Sequence, residues 1–532
     1  RHHVRPIPQR AFYEASEEYH AVARPMLKPI AKSKFGMPKQ IYQDQRKVEQ
    51  LGPLFQGLHP VVPDNGYQNF LSAFRKRCNY FSATKASPLI TASSISFINL
   101  VCPEVLPSFN WNSGLFEPWL LRFGSEKQGR MRAAVADLCD KDLHDYSTKD
   151  VFVKCEALLV AHKPNWAPRV IYKGTDLYNA ISGPMFNELM TRLDSCYNKT
   201  KGPYQFKIAY KKLAVDYTPF LSHGPGEYIE SDFSSNDMFQ CSDVIALELM
   251  LMRRLGCPEW FIRLHSKTNQ FQVRSTTHRV KATLENQLAT GVTDTTFRNT
   301  FWNSCILYSF LVKTRAVSSR AILLGDDMLA KIAGLSRRAV RTYENIAAEA
   351  RMVADVKRHY HLVECSFLSK LFIPRTNGCH LTVPLLGKAI GRFNMRANRN
   401  SAVSDHAYMA GKSVGYAYEF RYVPSLRDVF LQRFLYEWDF VLKEKRSLDD
   451  GSLADGLSWN AKQSGITLRN IRSKIVVAET LFDSDWMAFC YTRYHLTSSE
   501  VNELFQRMVL DVDGADDLTI IGSLLTVDFL GA

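Results

Sequence analysis

The chain has 532 residues, 46% of them hydrophobic and 23% charged, an ordinary globular composition with length enough for several structural regions. Eleven scattered cysteines with no Cys-x-x-Cys pair argue against a disulfide scaffold and against a structural zinc site, and fit a reducing compartment. The formal net charge of +14 attracts polyanions, so nucleic acid or an anionic membrane surface is an expected partner, although a merely soluble basic protein would carry the same charge.

The N-terminus, Arg-His-His-Val-Arg-Pro, lacks the apolar core of a signal peptide, and Arg at position 1 suggests a piece of something longer. Residues 1–150 mix basic and aromatic residues around turn signals such as Pro63-Asp64-Asn65-Gly66 and carry no readable motif. The least charged stretch, Ser87 to Pro103, is too rich in serine and proline for a membrane span, so no transmembrane segment is expected. Next come four cations within 20 residues, Lys154, Lys163, Arg169 and Lys173. Glu227 to Ser234 alternates as a strand presenting Glu230 and Asp232 on one face. Cys241 to Leu255 reads as a buried helix, with Asp243 in its first turn and Gly256-Cys257-Pro258 ending it.

Further on, Ala321-Ile-Leu-Leu324 and Met328-Leu-Ala330 flank Gly325-Asp326-Asp327, which predicts a hairpin with two carboxylates at its tip. Residues 376–532 begin basic (Lys388, Arg392, Arg396, Arg399), turn helical around Val429–Lys443 and become acidic from Asp511 to Asp517. Gly411-Lys412-Ser413 resembles the end of a phosphate-binding loop, but His406 stands where that loop needs glycine, and no NTPase or helicase is readable.

Singly, these signals are of unequal weight. Gly-Asp-Asp arises by chance in roughly one chain in ten of this composition, and the Thr290-Gly291, Thr295, Asn299 spacing in about one in a hundred. Their order decides the matter. Asp232-Phe-Ser-Ser-Asn-Asp237, Thr290-Gly-Val-Thr-Asp-Thr-Thr-Phe-Arg-Asn299 and Gly325-Asp-Asp327 resemble motifs A, B and C of viral RNA-dependent RNA polymerases. Phe152-Val-Lys154-Cys-Glu156, Pro168-Arg169-Val-Ile171, Tyr178-Asn179 and Gly183-Pro184 resemble the basic motif F, in a form similar to that of tombusvirus-like and nodavirus-like replicases of positive-strand RNA viruses. The resemblance covers residues 151–375 well. It departs from the usual pattern at Asn236, where an aromatic is common, at Thr290, where serine is common, and in a loose motif E, Cys365 to Phe372.

The resemblance implies a mixed α/β (α+β) right-hand fold. Residues 1–150 would be an N-terminal extension and fingers, and 151–225 fingers with motif F. Palm motif A would occupy 226–263, a fingers insert 264–285, palm motifs B to E 286–375, and the thumb and tail 376–532. It implies nucleotidyl transfer with two Mg²⁺ ions, for which Mn²⁺ could substitute, held about 3.5–4 Å apart by carboxylates. Asp232 and Asp326 would be the principal ligands and Asp327 a secondary one. Asp237 and Asn299 would read the ribose 2′-hydroxyl, a discrimination that leaves polar groups unpaired when a deoxy substrate binds. Thr290 and Gly291 would form a loop beside the templating base, followed by Thr295 on a helix; in a plainer alternative Asp294 simply caps that helix. Lys154 and Arg169 would grip the triphosphate. Lys357 is the expected proton donor to pyrophosphate, with Lys370 as the alternative.

Expected partners are template and product RNA, NTPs and other viral or host replication proteins. The expected location is the host-cell cytoplasm, at membrane-associated replication sites reached through another segment or partner. Two rivals remain at this point: a reverse transcriptase, and a catalytically inactive RNA-binding scaffold descended from a polymerase.

Overall fold

The computed structural model describes residues 28–29, 45–55, 61–77, 85–138, 146–157, 168–233, 240–397, 402–444, 456–516, 520–525 and 527–528. The fold is mixed α/β. The strands that matter for the site are β1 (Lys149–Val153), β2 (Val170–Gly174), β3 (Tyr204–Ile208), β4 (Glu227–Phe233), β5 (Gln270–Ser275), β6 (Val280–Glu285), β7 (Ser318–Leu324), β8 (Asp327–Ala333) and β9 (Ala354–His359). They are followed by β10 (Ser366–Phe367), β11 (Lys370–Pro374) and β12 (His380–Pro384). The helices are α1 (Pro88–Val101), α2 (Asp176–Asn198), α3 (Ser242–Arg254), α4 (Glu259–Lys267), α5 (Thr295–Thr314), α6 (Ala339–Glu349), α7 (Leu386–Phe393), α8 (Asp405–Glu419), α9 (Pro424–Lys443), α10 (Asp483–Tyr494) and α11 (Ser498–Leu510).

A central sheet runs in the order β9-β4-β8-β7-β3. All its pairs are antiparallel except β7 with β3. The β7 run Ala-Ile-Leu-Leu is apolar without alternation because both sheet faces are covered. Ala321 and Leu323 enter the main core with Ile229, Phe233, Met328 and Ala330, against Phe97 of α1 and Phe301 of α5. Ile322 and Leu329 point the other way, onto Tyr217, Leu221, Phe367 and Phe372. Each fully buried Ile, Leu, Met or Phe among them contributes about 1.5–3 kcal/mol of transfer free energy. Helix α5 is buried nearly all round, from Phe297 through Leu311, and stops where Arg315 turns left-handed at φ 52°. It is the pillar on which the sheet rests.

A second sheet joins Lys28–Pro29 to β6, β5, β1 and β2 in that order. Strands β1 and β2 form one antiparallel pair, and β5 and β6 another. The C-terminal part has its own core, in which Leu371, Ile390, Phe430 and Phe505 pack with Phe55 from the N-terminal segment. Arg433, 1% exposed at its side chain, ties the two together. It donates to Leu51 O at 2.7 Å, Val509 O at 2.7 Å, Asn394 Oδ1 at 3.2 Å and Glu437 Oε1 at 2.8 Å.

The expected strand and buried helix are present as β4 and α3, with Gly256 left-handed at φ 84° just beyond the helix. Ser234, the last residue of the expected strand, lies outside the described residues. The hairpin is longer than expected, seven residues on each side. The C-terminal helix starts earlier, at Pro424, because proline suits a first helical position whose N–H would be unpaired anyway. Ser87 to Pro103 contains a helix capped by Ser87, and its Ser94 hydroxyl is absorbed by Ile90 O at 2.7 Å. Among the described residues no helix is long and apolar enough to cross a membrane.

Candidate active site

The carboxylates converge at one end of the central sheet. Strand β4 pairs with β8 so that Ser231 faces Met328, and the next residues along are Asp232 on one strand and Asp327 on the other. Leu324 faces Asp327 across the hairpin, leaving Gly325 and Asp326 as a two-residue turn. Gly325 sits at φ 61°, which a side chain would strain, and glycine at the first central position is what a tight hairpin turn favours. Both of its backbone polar groups are held by α5. Its N–H donates to Thr300 Oγ1 at 2.8 Å, and its carbonyl accepts from Asn303 Nδ2 at 3.2 Å.

The acids repel one another. Burial, then Asp326 and Asp232, push Asp327 up to about 7, against a weaker opposing pull from Lys388. Asp232 is also raised, by burial first and then by Asp326 and Asp355. An N–H bond from Phe233 at 2.9 Å and the charge of Lys357 work in the opposite direction. The Asp232 residue is exposed to solvent, while protein atoms crowd round its carboxylate. Asp355 joins the cluster because β9 places it directly opposite Asp232.

The segment before α5 packs against the second sheet. Gly291 has φ 104°, and a Cβ there would lie 3.0 Å from Tyr172 O of β2. The N–H of Tyr172 donates to Thr290 O at 3.1 Å, so the Thr290–Gly291 loop is fastened to the β1–β2 hairpin. Thr295, the first residue of α5, donates to Ala289 O at 3.3 Å. Asn299 Oδ1 is buried with no hydrogen-bond partner among the described residues. The plainer alternative of Asp294 as a helix cap is corrected: Asp294 stands at the cap position but makes no capping bond, and its carboxylate turns to Arg298 at 3.2 Å.

Arg298 also reaches Glu248 of α3 at 2.5 Å, and Glu248 bonds His265 of α4. Burial alone would raise Glu248, but the Arg298 and His265 charges beside it hold it at about 2. Glu248, His265 and Asp294 offer atoms within 4.8 Å of one another. The guanidinium already supplies their counter-charge, so the group serves as an ion network that anchors the start of α5 rather than as a metal centre.

Lys154, just past β1, and Arg169, just before β2, meet at Glu156. Arg169 bonds it through Nε at 2.8 Å and Nη2 at 2.5 Å, and Lys154 lies 3.1 Å away. Lys357 on β9 faces Glu230 of β4. Lys370 is engaged elsewhere, 3.1 Å from Glu419. Asp237 and Lys163 lie outside the described residues. Sequence reasoning missed Lys388. On α7 it donates to Ser369 Oγ at 3.1 Å. Burial and Arg392 lower its proton affinity, while the Asp327 and Asp232 charges oppose them. The basic run from Lys388 to Arg399 was its only signal, and nothing in that run shows which acids it would meet.

Comparison with known proteins follows the same lines. A family model described as RNA dependent RNA polymerase matches residues 34–379. The replicase large subunit of Tobacco mosaic virus (strain OM) is 23% identical over 314 residues, covering 55% of this chain and 19% of that protein. The replicase large subunit of Tobamovirus Ob is 26% identical over 155 residues, 28% of this chain and 9% of that protein. The matched segments thus span less than about a fifth of these curated relatives.

Proposed function

Because the chain belongs to the RNA-dependent RNA polymerase family of positive-strand RNA viruses, we propose that it performs template-directed nucleotidyl transfer from NTPs to a growing RNA 3′-hydroxyl during viral genome replication in the host cytoplasm. The observation that carries this reading is the convergence of Asp232 with the Gly325–Asp327 turn, where the acids raise one another's proton affinity. An all-carboxylate, under-neutralised donor set fits a hard divalent cation, and we assign it to Mg²⁺, with Mn²⁺ as substitute. Asp232 and Asp326 would be the main holders and Asp327 an auxiliary one. Two such ions, when bound, would activate the attacking hydroxyl and stabilise the departing pyrophosphate.

The chain's own groups supply the rest. Arg169 and Lys154, now shared by one glutamate, can exchange that carboxylate for the substrate's phosphates. The unpaired Asn299 Oδ1 is suited to accept a ribose hydroxyl, together with Asp237. Thr290 and Gly291 would form the wall beside the templating base, with Thr295 starting the helix behind it. Lys357 would deliver the proton to pyrophosphate. In this reading the central sheet is a palm (226–263 and 286–375). Residues 1–225 with the 264–285 insert are fingers, an arrangement supported by the shared second sheet of β1, β2, β5 and β6. Residues 376–532 form a thumb and tail.

The test is incorporation of labelled NTPs on a single-stranded RNA template with Mg²⁺ or Mn²⁺, comparing the parent with Asp326→Ala. Template-length product is expected from the parent alone, with RNA binding retained by both. Product from both proteins would remove Asp326 from the chemistry. Incorporation of dNTPs in preference to NTPs would make the protein a reverse transcriptase. RNA binding without synthesis by the parent would make it a scaffold.

A further inference from the structure

We propose that Thr300 and Asn303 are positioning residues: they set the carboxylate-bearing turn from the same helix that carries the sugar-reading Asn299, and so couple metal holding to sugar choice. The proposal rests on the functional reading above and adds residues to it that the motif pattern does not include. A two-residue turn at a hairpin tip ordinarily leaves its central peptide groups to water, where the flanking carboxylates would move with the solvent. Here the donor and the acceptor of Gly325 are both satisfied by α5, at 2.8 Å and 3.2 Å. Thr300 and Asn303 are 0% and 1% exposed, so the α5 end of each bond is held away from water.

The turn therefore moves with α5 rather than with the loop it belongs to. Asn299 adjoins Thr300 in sequence and lies one helical turn before Asn303, on the same face of the helix as Asn303. The first turn of α5 is fixed in turn by Arg298 to Glu248 and Asp294. A shift of α5 that accommodates or rejects a sugar at Asn299 is thus transmitted to Gly325, and from there to Asp326 and Asp327.

The experiment uses the full chain and three variants. Thr300→Val keeps the side-chain shape but removes the acceptor, Thr300→Ser keeps the hydroxyl, and Asn303→Leu removes the donor to the Gly325 carbonyl. Mn²⁺ affinity is measured by calorimetry without RNA or nucleotide, and kcat, KM and the NTP-over-dNTP preference are measured with Mg²⁺. Thr300→Val and Asn303→Leu are each expected to weaken Mn²⁺ binding by about tenfold, the scale of one lost buried hydrogen bond. They should lower kcat more than they raise KM and reduce sugar preference, while Thr300→Ser retains parent values. Parent-like Mn²⁺ affinity and sugar preference in Thr300→Val or Asn303→Leu would overturn the proposal. So would a Thr300→Ser variant as impaired as the valine. If Thr300→Val does not fold, as judged by circular dichroism, Asn303→Leu and Thr300→Ser decide. A parent that binds Mn²⁺ but makes no RNA defeats the functional reading alone, and the Mn²⁺ comparison still decides this one.

Discussion

Burial and its two acidic neighbours push the Asp327 carboxyl up to about 7. A carboxyl raised in the folded state binds its proton more tightly than in the unfolded chain. It therefore costs nothing below the unfolded value near 4, and it destabilises progressively as pH rises through about 7. A divalent cation competes with that proton. The gain in melting temperature on adding MgCl₂ should accordingly be larger at pH 8 than at pH 6, which thermal melts at fixed metal concentration would measure. An equal gain at both pH values would mean that Asp327 is not among the metal holders. At this scale the sequence was informative where chemistry is packed into a short spacing, as at Asp232 and the Gly325–Asp327 turn. It was silent on Asp355 and Lys388, which reach the same acids only through strand register and through a helix from the C-terminal part.

Helix α5 begins in a buried ion network whose charges cannot be left single. Arg298→Met would strand Glu248 and Asp294 without their cation, and breaking such a buried pair costs about 3–5 kcal/mol. Denaturant unfolding should show that loss, and adding Glu248→Gln to Arg298→Met should recover part of it. A loss under about 1 kcal/mol would mean that the guanidinium is replaced by water or by Lys149, a buried ammonium on which the Asp294 charge already acts. Strand β4 and helix α3 were readable because alternation, an acidic first turn and a Gly-x-Pro stop act locally. The alternative reading of Asp294 as a side-chain cap fails because its carboxylate turns to Arg298 four residues on, a guanidinium that Glu248 of α3 holds in place across the core. The β1–β2 hairpin carried its cations in plain view, but the sharing of Glu156 by Lys154 and Arg169 appears only once the two strands pair.

Over the whole molecule a net charge of +14 favours binding through phosphates. Affinity for single-stranded RNA should fall by at least about tenfold between roughly 50 and 200 mM salt, as filter binding or fluorescence anisotropy would register. Salt-independent binding would point to recognition through bases instead. The mixed α/β class was legible, and so were the strand and the hairpin that bring the acids together. The attachment of residues 45–55 to the C-terminal core was not, because it rests on contacts such as Arg433 to Leu51, 382 positions apart and without local pattern. That contact also has a consequence in time. A ribosome adding about 5–20 residues per second delivers Arg433 roughly 20–80 s after Leu51. Throughout that interval Phe55 has no C-terminal core to enter. Residues 51–55 thus wait for partners made long after them, and in that interval they are open to whatever else binds a nascent chain.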